Sequence, residues 1–392
     1  MSDVLYGIDR QDIWLPLLKG KRLCVLTHSP AVDGEYVRTA DVLCRSLNVT
    51  ALCSPEHGLD GLAGPGDEVG NSVDPETGLP VYSLFQRHAD ALSLPDALEN
   101  ADAAVCDFCD IGSRFYTYIS SMFDAMRICT EKGIPFYVLD RPDPVGGIRC
   151  DGTLPDERFL SFVGRFTMPA RHGLTLGEAA LLFKERIFTG CDLTVIPVSG
   201  WCRRMEFEDT GRVWINPSPN MPGPDCARVF CGTCFIEGTN LSEGRGTTRP
   251  YEQIGSPFIK SAELARIMNS FKIPGIKMRP CRFMPLSGKK YAGEVCEGVQ
   301  VILTDRRNAD CFAAGIRLLD VLRSEVKGFE FSDPVLFDHL LGTDRFRLGM
   351  ISADELIGQA GEESREFQRS VRDLLIYKDS LLSGKNFRAV KG

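Results

Sequence analysis

The sequence predicts an α/β fold, a doubly wound sheet in its first part followed by a smaller α+β domain. Three observations carry this. Short apolar runs alternate with amphipathic segments between residues 22 and 198, the pattern of strands buried between covering helices. The segments that follow the apolar runs are polar, and from about Pro250 the alternation stops.

Arg22–Thr27 reads as the first strand, 39–47 as a helix and 49–53 as the second strand. Residues 103–108 make another buried strand, 122–132 a helix with apolar residues at helical spacing, and 135–139 the next strand. A helix over 176–187 is capped by Thr175, with Glu178 three positions on completing a capping box, and 192–198 is the strand after it. The apolar run 229–236, broken only by Gly232 and Thr233, also reads as a strand. Beyond Pro250, 261–271 is a helix, 298–304 a strand, 309–322 an amphipathic helix and 352–381 a charged, mostly helical tail. The expected domains are 1–249 and 250–392.

At 392 residues, 43% hydrophobic and 25% charged, the chain has room for two domains of roughly 150–200 residues with ordinary cores. A net charge of −8 without a long basic cluster argues against nucleic acid or an anionic membrane as partner. No apolar run approaches the roughly 18 residues of a membrane span. Fifteen cysteines, many in apolar runs such as those of Cys24, Cys106 and Cys296, suit free thiols. No secretory signal is visible, and together these predict a cytoplasmic protein.

Two C-x-x-C pairs occur, Cys106 with Cys109 and Cys231 with Cys234. Strand alternation puts the first pair on opposite faces, and none of the five histidines has ligand spacing, so no metal is expected. No G-x-G-x-x-G follows a strand and no G-x-x-x-x-G-K-[ST] occurs, so no nucleotide cofactor is expected. Neither G-x-S-x-G nor H-E-x-x-H is present, which removes the usual serine hydrolase and zinc protease signatures. Oligomeric state leaves no readable signal.

In doubly wound sheets ligands lie outside the carboxyl ends of the strands. The loops there are Thr27-His28-Ser29-Pro30, Ser54-Pro55-Glu56-His57-Gly58, the stretch from Asp110 to Tyr118, and Asp140-Arg141-Pro142-Asp143-Pro144. A fifth loop, 238–248, carries Asn240, Ser242, Glu243 and Arg245 among three glycines and only one large apolar residue, Leu241. Its length and chemistry suit a binding or catalytic loop. Glu56 stands first as a general acid, and Asp110, Glu237 and Glu243 are the other acids in polar loops. Two such carboxyl groups facing each other across a sugar are the usual minimum for glycoside hydrolysis.

Arg114, Tyr116 and Tyr118, at alternate positions of an extended piece, suit a ring with a charged substituent. A helix start packing Phe115 and Tyr118 into the core accounts for them equally well. Arg171 and His172 precede the Thr175 cap, where helix amides favour anions, although His172 also fits a structural role. Trp201, Trp214 and the run Asn216-Pro217-Ser218-Pro219-Asn220-Met221-Pro222 make a stiff loop. Asn220 there either bonds a ligand or forms an Asx turn.

These stretches resemble the exo-β-N-acetylmuramidase family of peptidoglycan-recycling glycosidases, the NamZ type. The resemblance rests on Gly7-Ile8-Asp9, Ser54-Pro55-Glu56-His57-Gly58, Thr77-Gly78-Leu79-Pro80-Val81-Tyr82-Ser83-Leu84 and the run from Asp110 to Tyr118. It continues through Leu139-Asp140-Arg141-Pro142, Arg171-His172-Gly173, Pro217-Ser218-Pro219-Asn220-Met221-Pro222 and the run from Glu237 to Thr248. It is thinner after residue 250. It implies a Rossmann-like N-terminal domain, a smaller C-terminal domain and an active-site cleft between them. It also implies hydrolysis of terminal, non-reducing β-1,4-linked N-acetylmuramic acid from peptidoglycan fragments.

The glutamate of the family's E-H-G motif falls on Glu56, the expected acid/base. Glu243 or Asp110 would be the second carboxylate, and Arg245, Arg114 or Arg171 the clamp for the lactyl carboxylate. His57, Tyr116, Tyr118, His172, Asn220, Asn240 and Ser242 complete the expected sugar-binding set. The first loop departs from the family pattern, with Thr27-His28-Ser29-Pro30-Ala31-Val32-Asp33 in place of T-N-x-T-G-V-D. The rival readings are a muropeptide- or sugar-binding protein without catalysis and a cofactor-dependent oxidoreductase.

Overall fold

A computed structural model describes residues 4–85, 94–287, 290–379 and 389–392. The chain begins with α1 (Gln11–Leu18), β1 (Arg22–Thr27), α2 (Thr39–Cys44), β2 (Asn48–Ser54), β3 (Ser72–Val73) and β4 (Pro80–Ser83). It continues with α3 (Leu94–Ala97), β5 (Ala103–Asp107), α4 (Thr117–Lys132), β6 (Phe136–Leu139), α5 (Leu176–Arg186) and β7 (Leu193–Ile196). Then come α6 (Pro224–Thr233), β8 (Gln253–Ser256), α7 (Ser261–Ser270), β9 (Ile276–Phe283) and β10 (Cys296–Leu303). The last elements are α8 (Cys311–Glu325), α9 (Pro334–Leu341), α10 (Ala353–Ser370) and β11 (Val390–Lys391).

Among the described residues eight strands form one sheet, in the order β11-β7-β6-β5-β1-β2-β4-β3. Its six inner strands are parallel, while β3 and β11 pair antiparallel at the two edges. Side chains alternate between two cores, as the strand period requires. Cys24, Leu26 and Cys106 join the core of α4 and α5, whereas Leu23, Val25 and Val105 join that of α1 and α2. Strands buried on both faces read as continuous apolar runs, which is why the alternation was visible in the sequence. The strand order reverses at β1, so the loops leaving β1 and β5 diverge and open that edge of the sheet. A second, antiparallel sheet has the order β8-β10-β9. The protein is therefore mixed α/β, with one large, mostly parallel sheet and one small antiparallel sheet. No described helix is long and apolar enough to cross a membrane.

The capping box of α5 forms, with Thr175 Oγ1 accepting from the Glu178 N–H and Glu178 accepting from the Thr175 N–H. The run 229–236, expected as a strand, is helical. It falls in α6 and in a following 3-10 turn, Cys234–Gly238. Residues 226–233 are all buried, so the helix shows no polar stripe and its apolar run imitates a strand. Pro224 occupies the first turn, where its missing N–H is no loss. A Cβ on Gly232 would collide with the backbone of Cys311, and one on Gly315 with the backbone of Gly232, so α6 and α8 touch main chain to main chain. Gly232→Val is expected to cost about 3 kcal/mol of stability, read as a lowered urea midpoint. An unchanged midpoint would show that the two helices can part freely.

β8 and β9 escape the sequence pattern. β9 is an edge strand exposing Lys277, Arg279, Pro280 and Arg282, the charges and proline that keep an edge from pairing further. The charged tail is α-helical as far as Ser370, the end of α10, and a short 3-10 turn follows at Arg372–Leu374. Residues 371–379 instead turn back onto the large sheet, and 380 and 381 lie outside the described residues. Tyr377, 1% exposed, donates to Asp140 Oδ2 at 2.6 Å and accepts from the Val198 N–H at 2.8 Å.

Candidate active site

A concavity of about 620 Å³ lies beyond the carboxyl end of β2, beside the start of α4. Glu56, two residues past the end of β2, lines it. Its Oε2 accepts from the Thr117 hydroxyl at 2.6 Å and its Oε1 from the Gly66 N–H at 2.9 Å. Thr117 is the first residue of α4, so its hydroxyl ties the carboxyl to the start of that helix. His57 adopts φ 75°, a left-handed conformation that costs a non-glycine residue energy and recurs at functional turns. Its Nδ1 lies 2.8 Å from the Ala63 carbonyl, which fixes the ring against the concavity.

Glu237, Arg245 and Tyr251 form the facing part of the lining. Glu237 Oε1 accepts from the Tyr251 hydroxyl at 2.8 Å, and Arg245 stands 3.5 Å from Oε2. Burial pushes the Glu237 carboxyl above its ordinary value; Arg245 opposes the shift and the neighbouring Glu243 charge adds to it. Burial acts on Glu243 in the same sense, but Arg245 and Lys290 outweigh it and hold that carboxyl below its ordinary value. Arg245 Nε donates to Glu243 Oε1, and Lys290 Nζ lies 3.0 Å from Oε2. Both oxygens of Glu243 thus each hold a cation. The loop reaches this arrangement through Gly244, at φ 79°, whose Cβ would strike the carbonyls of Arg249 and Gln253. Tyr116, Ser218 and Asn220 also line the concavity, and the buried Tyr116 hydroxyl makes no well-formed hydrogen bond of its own.

The structure does not bring the other expected residues there. Asp110 lines a separate concavity of about 580 Å³, with Arg141 and Trp214. Its Oδ2 accepts from the Gly112 N–H and lies 3.4 Å from His172 Nε2. Arg114 is 1% exposed and donates to the carbonyls of Thr153, Met168 and Leu340, which makes it an interior strut. Tyr118 is buried with its hydroxyl on the Pro217 carbonyl at 2.7 Å. Arg171 donates to the Val145 carbonyl, and His172 Nδ1 accepts from the Leu174 N–H. Asn240 braces the 328–330 segment through Gly328 and Glu330, and Ser242 accepts from the Gly244 N–H. Thr117, Ser218 and Tyr251 were not singled out from the sequence. Only the folded chain marks them, with Thr117 and Tyr251 bonded to acids and Ser218 in the lining.

Residues 23–225 match the description "Exo-beta-N-acetylmuramidase NamZ, N-terminal" and residues 228–377 match "Exo-beta-N-acetylmuramidase NamZ, C-terminal". The chain belongs to the NamZ family. It is 40% identical over 366 residues to the peptidoglycan beta-N-acetylmuramidase NamZ of Bacillus subtilis (strain 168), covering 92% of this chain and 88% of that protein. Crystal structures of two DUF1343 family proteins from Bacteroides fragilis NCTC 9343, each 28% identical, superpose with TM-scores of 0.86 and 0.75. They cover 96% and 97% of this chain and 100% of their own. The seam between the two NamZ segments falls at the first turn of α6. The concavity draws on both, with Glu56, Thr117 and Asn220 from the first and Glu237, Arg245 and Tyr251 from the second.

Proposed function

We propose that this chain is an exo-acting β-N-acetylmuramidase that releases terminal, non-reducing β-1,4-linked N-acetylmuramic acid from peptidoglycan fragments. The observation that carries the assignment of chemistry is Glu56, a carboxyl just past a strand end, held by Thr117 and Gly66 and lining a concavity shared with Arg245 and Asn220. Glu56 is the acid/base. Its proton goes to the glycosidic oxygen as the bond from C1 breaks and the electron pair leaves on that oxygen. As a carboxylate it then takes a proton from the water that completes hydrolysis.

Arg245 is the one guanidinium among the described residues lining the concavity, which supports it as the partner of the lactyl carboxylate. Glu243 acts in this reading by fixing Arg245 and Lys290. His57, Tyr116, Ser218 and Asn220 supply hydrogen bonds to the sugar. The inner strand order β4-β2-β1-β5-β6-β7 follows the 3-2-1-4-5-6 order of a Rossmann-like sheet and supports that reading, with the active-site cleft between it and the smaller domain. Fifteen free thiols, most of them buried, fit a cytoplasmic protein.

The test is release of N-acetylmuramic acid from a muramyl-β-1,4-glucosamine disaccharide, with the reversed disaccharide as control. Turnover of the first substrate alone is expected. Saturable binding of the first without product would leave a sugar-binding protein in place of an enzyme.

A further inference from the structure

Hydrolysis of a β-glycoside builds positive charge at C1 and the ring oxygen while the bond to the aglycone breaks. A single acid/base does not offset that charge, so a second group is needed in the same space. We infer that Glu237 is this group, a catalytic carboxylate that meets the sugar in the concavity shared with Glu56; the inference rests on the muramidase reading above. Among the described residues lining the concavity, Glu56 and Glu237 alone carry carboxyl groups. The two acids favoured by the sequence are engaged elsewhere: Asp110 faces His172 in the neighbouring concavity, and Glu243 has a cation on each oxygen.

The surroundings of Glu237 suit a charge held ready. Its side chain is 19% exposed against 4% for Glu243, so a ligand can reach it. Oε1 is steadied by the Tyr251 hydroxyl, whereas Arg245 approaches Oε2 only to 3.5 Å and leaves that oxygen room for a further partner. The backbone beneath it is fixed too. Lys290 donates to the carbonyls of Ile236 and Glu237, and a Cβ on Gly238 would strike the backbone of Phe337. Glu243 and Arg245 complete a four-charge group, with Glu237 and Glu243 against Arg245 and Lys290. Glu243 therefore holds Arg245 in place, and Arg245 keeps a negative charge on Glu237 tolerable in a buried site. In this role Glu237 forms no bond in the cleavage step. Its negative charge offsets the charge growing on the sugar as the electron pair leaves on the oxygen that Glu56 protonates.

The experiment compares kcat and KM on two substrates, the muramyl-glucosamine disaccharide and a nitrophenyl β-muramide whose leaving group needs no proton. Glu237→Gln is expected to lose about 10²–10³-fold in kcat on both, with KM little changed. Glu56→Gln is expected to be far more damaging on the disaccharide than on the nitrophenyl glycoside. Tyr251→Phe, which keeps the packing and removes the hydroxyl from Oε1, should follow the Glu237 pattern with a loss of about tenfold. It carries the test if Glu237→Gln does not fold. A folded Glu237→Gln within about threefold of wild type on both substrates, or one altered only in KM, overturns the inference and leaves the muramidase reading standing. A wild-type protein inactive on both substrates overturns that reading, and this inference falls with it.

Discussion

Glu56→Gln is expected to lower turnover of the muramyl-glucosamine disaccharide by about 10²–10⁴-fold, the usual worth of a positioned general acid. Glutamine has the size of glutamate and can keep both local contacts. Its carbonyl oxygen can accept from the Gly66 N–H while its amide donates to the Thr117 hydroxyl, which rotates to accept. The fold should therefore persist, with an unfolding transition near that of wild type, and substrate should still bind. What is lost is the transferable proton, so the deficit belongs in kcat rather than KM. Wild-type turnover by a folded Glu56→Gln protein would remove Glu56 from the mechanism.

The second large effect is on stability at low pH. His28 is 2% exposed, edge-on to the rings of Phe108 and Tyr118, and its Nε2 accepts from the Cys109 N–H at 2.9 Å. Burial, followed by the charges of Arg141 and His57, pushes its pKa down from 6.5 to about 3. In the unfolded chain the imidazole takes its proton near pH 6.5. Between those values the unfolded state binds more protons than the folded one, so stability rises with pH across the window. Conversely, stability present at pH 7 drains away as pH falls below 6.5, by about 4 kcal/mol from this group once pH 3 is reached. Urea unfolding at a series of pH values measures it. His28→Asn, which offers an oxygen to the Cys109 N–H, should flatten the slope between pH 3 and 6.5. An unchanged slope in that variant would assign the acid sensitivity to other groups.

The large sheet was legible because parallel strands covered on both faces must be apolar without interruption, as in the run around Val25 and that around Val105. The capping box at Thr175 was legible because it is local chemistry. α6 was misread because a helix buried all round loses the periodicity that distinguishes it from a strand. Glu237 was read as one of several acids in polar loops beside strands; on the turn after α6 it enters the concavity. Glu56, His57, Tyr116, Asn220 and Arg245 were singled out as polar groups in loops, and folding brings these five to one space. Arg114 illustrates what no local pattern reveals. Its guanidinium answers carbonyls at Thr153, Met168 and Leu340, the last 226 positions away, and a sequence does not show which polar side chains will be used up by such distant main chain.

The return of residues 371–379 to the large sheet bears on how the protein is made. Asp140, at the carboxyl end of β6, is ringed by donors from Gly177, Thr175 and Arg141, and burial raises its carboxyl to about 7. The last member of that ring is the Tyr377 hydroxyl, added 237 positions later. Ile376 likewise donates to Glu178, and β11 covers the open edge of β7. On a ribosome the strands from β1 to β7 emerge long before these residues exist, with one sheet edge bare and a buried carboxyl short of a donor. Until residues 376–391 have joined it, the first part of the fold stays unfinished at that sheet edge and at that carboxyl.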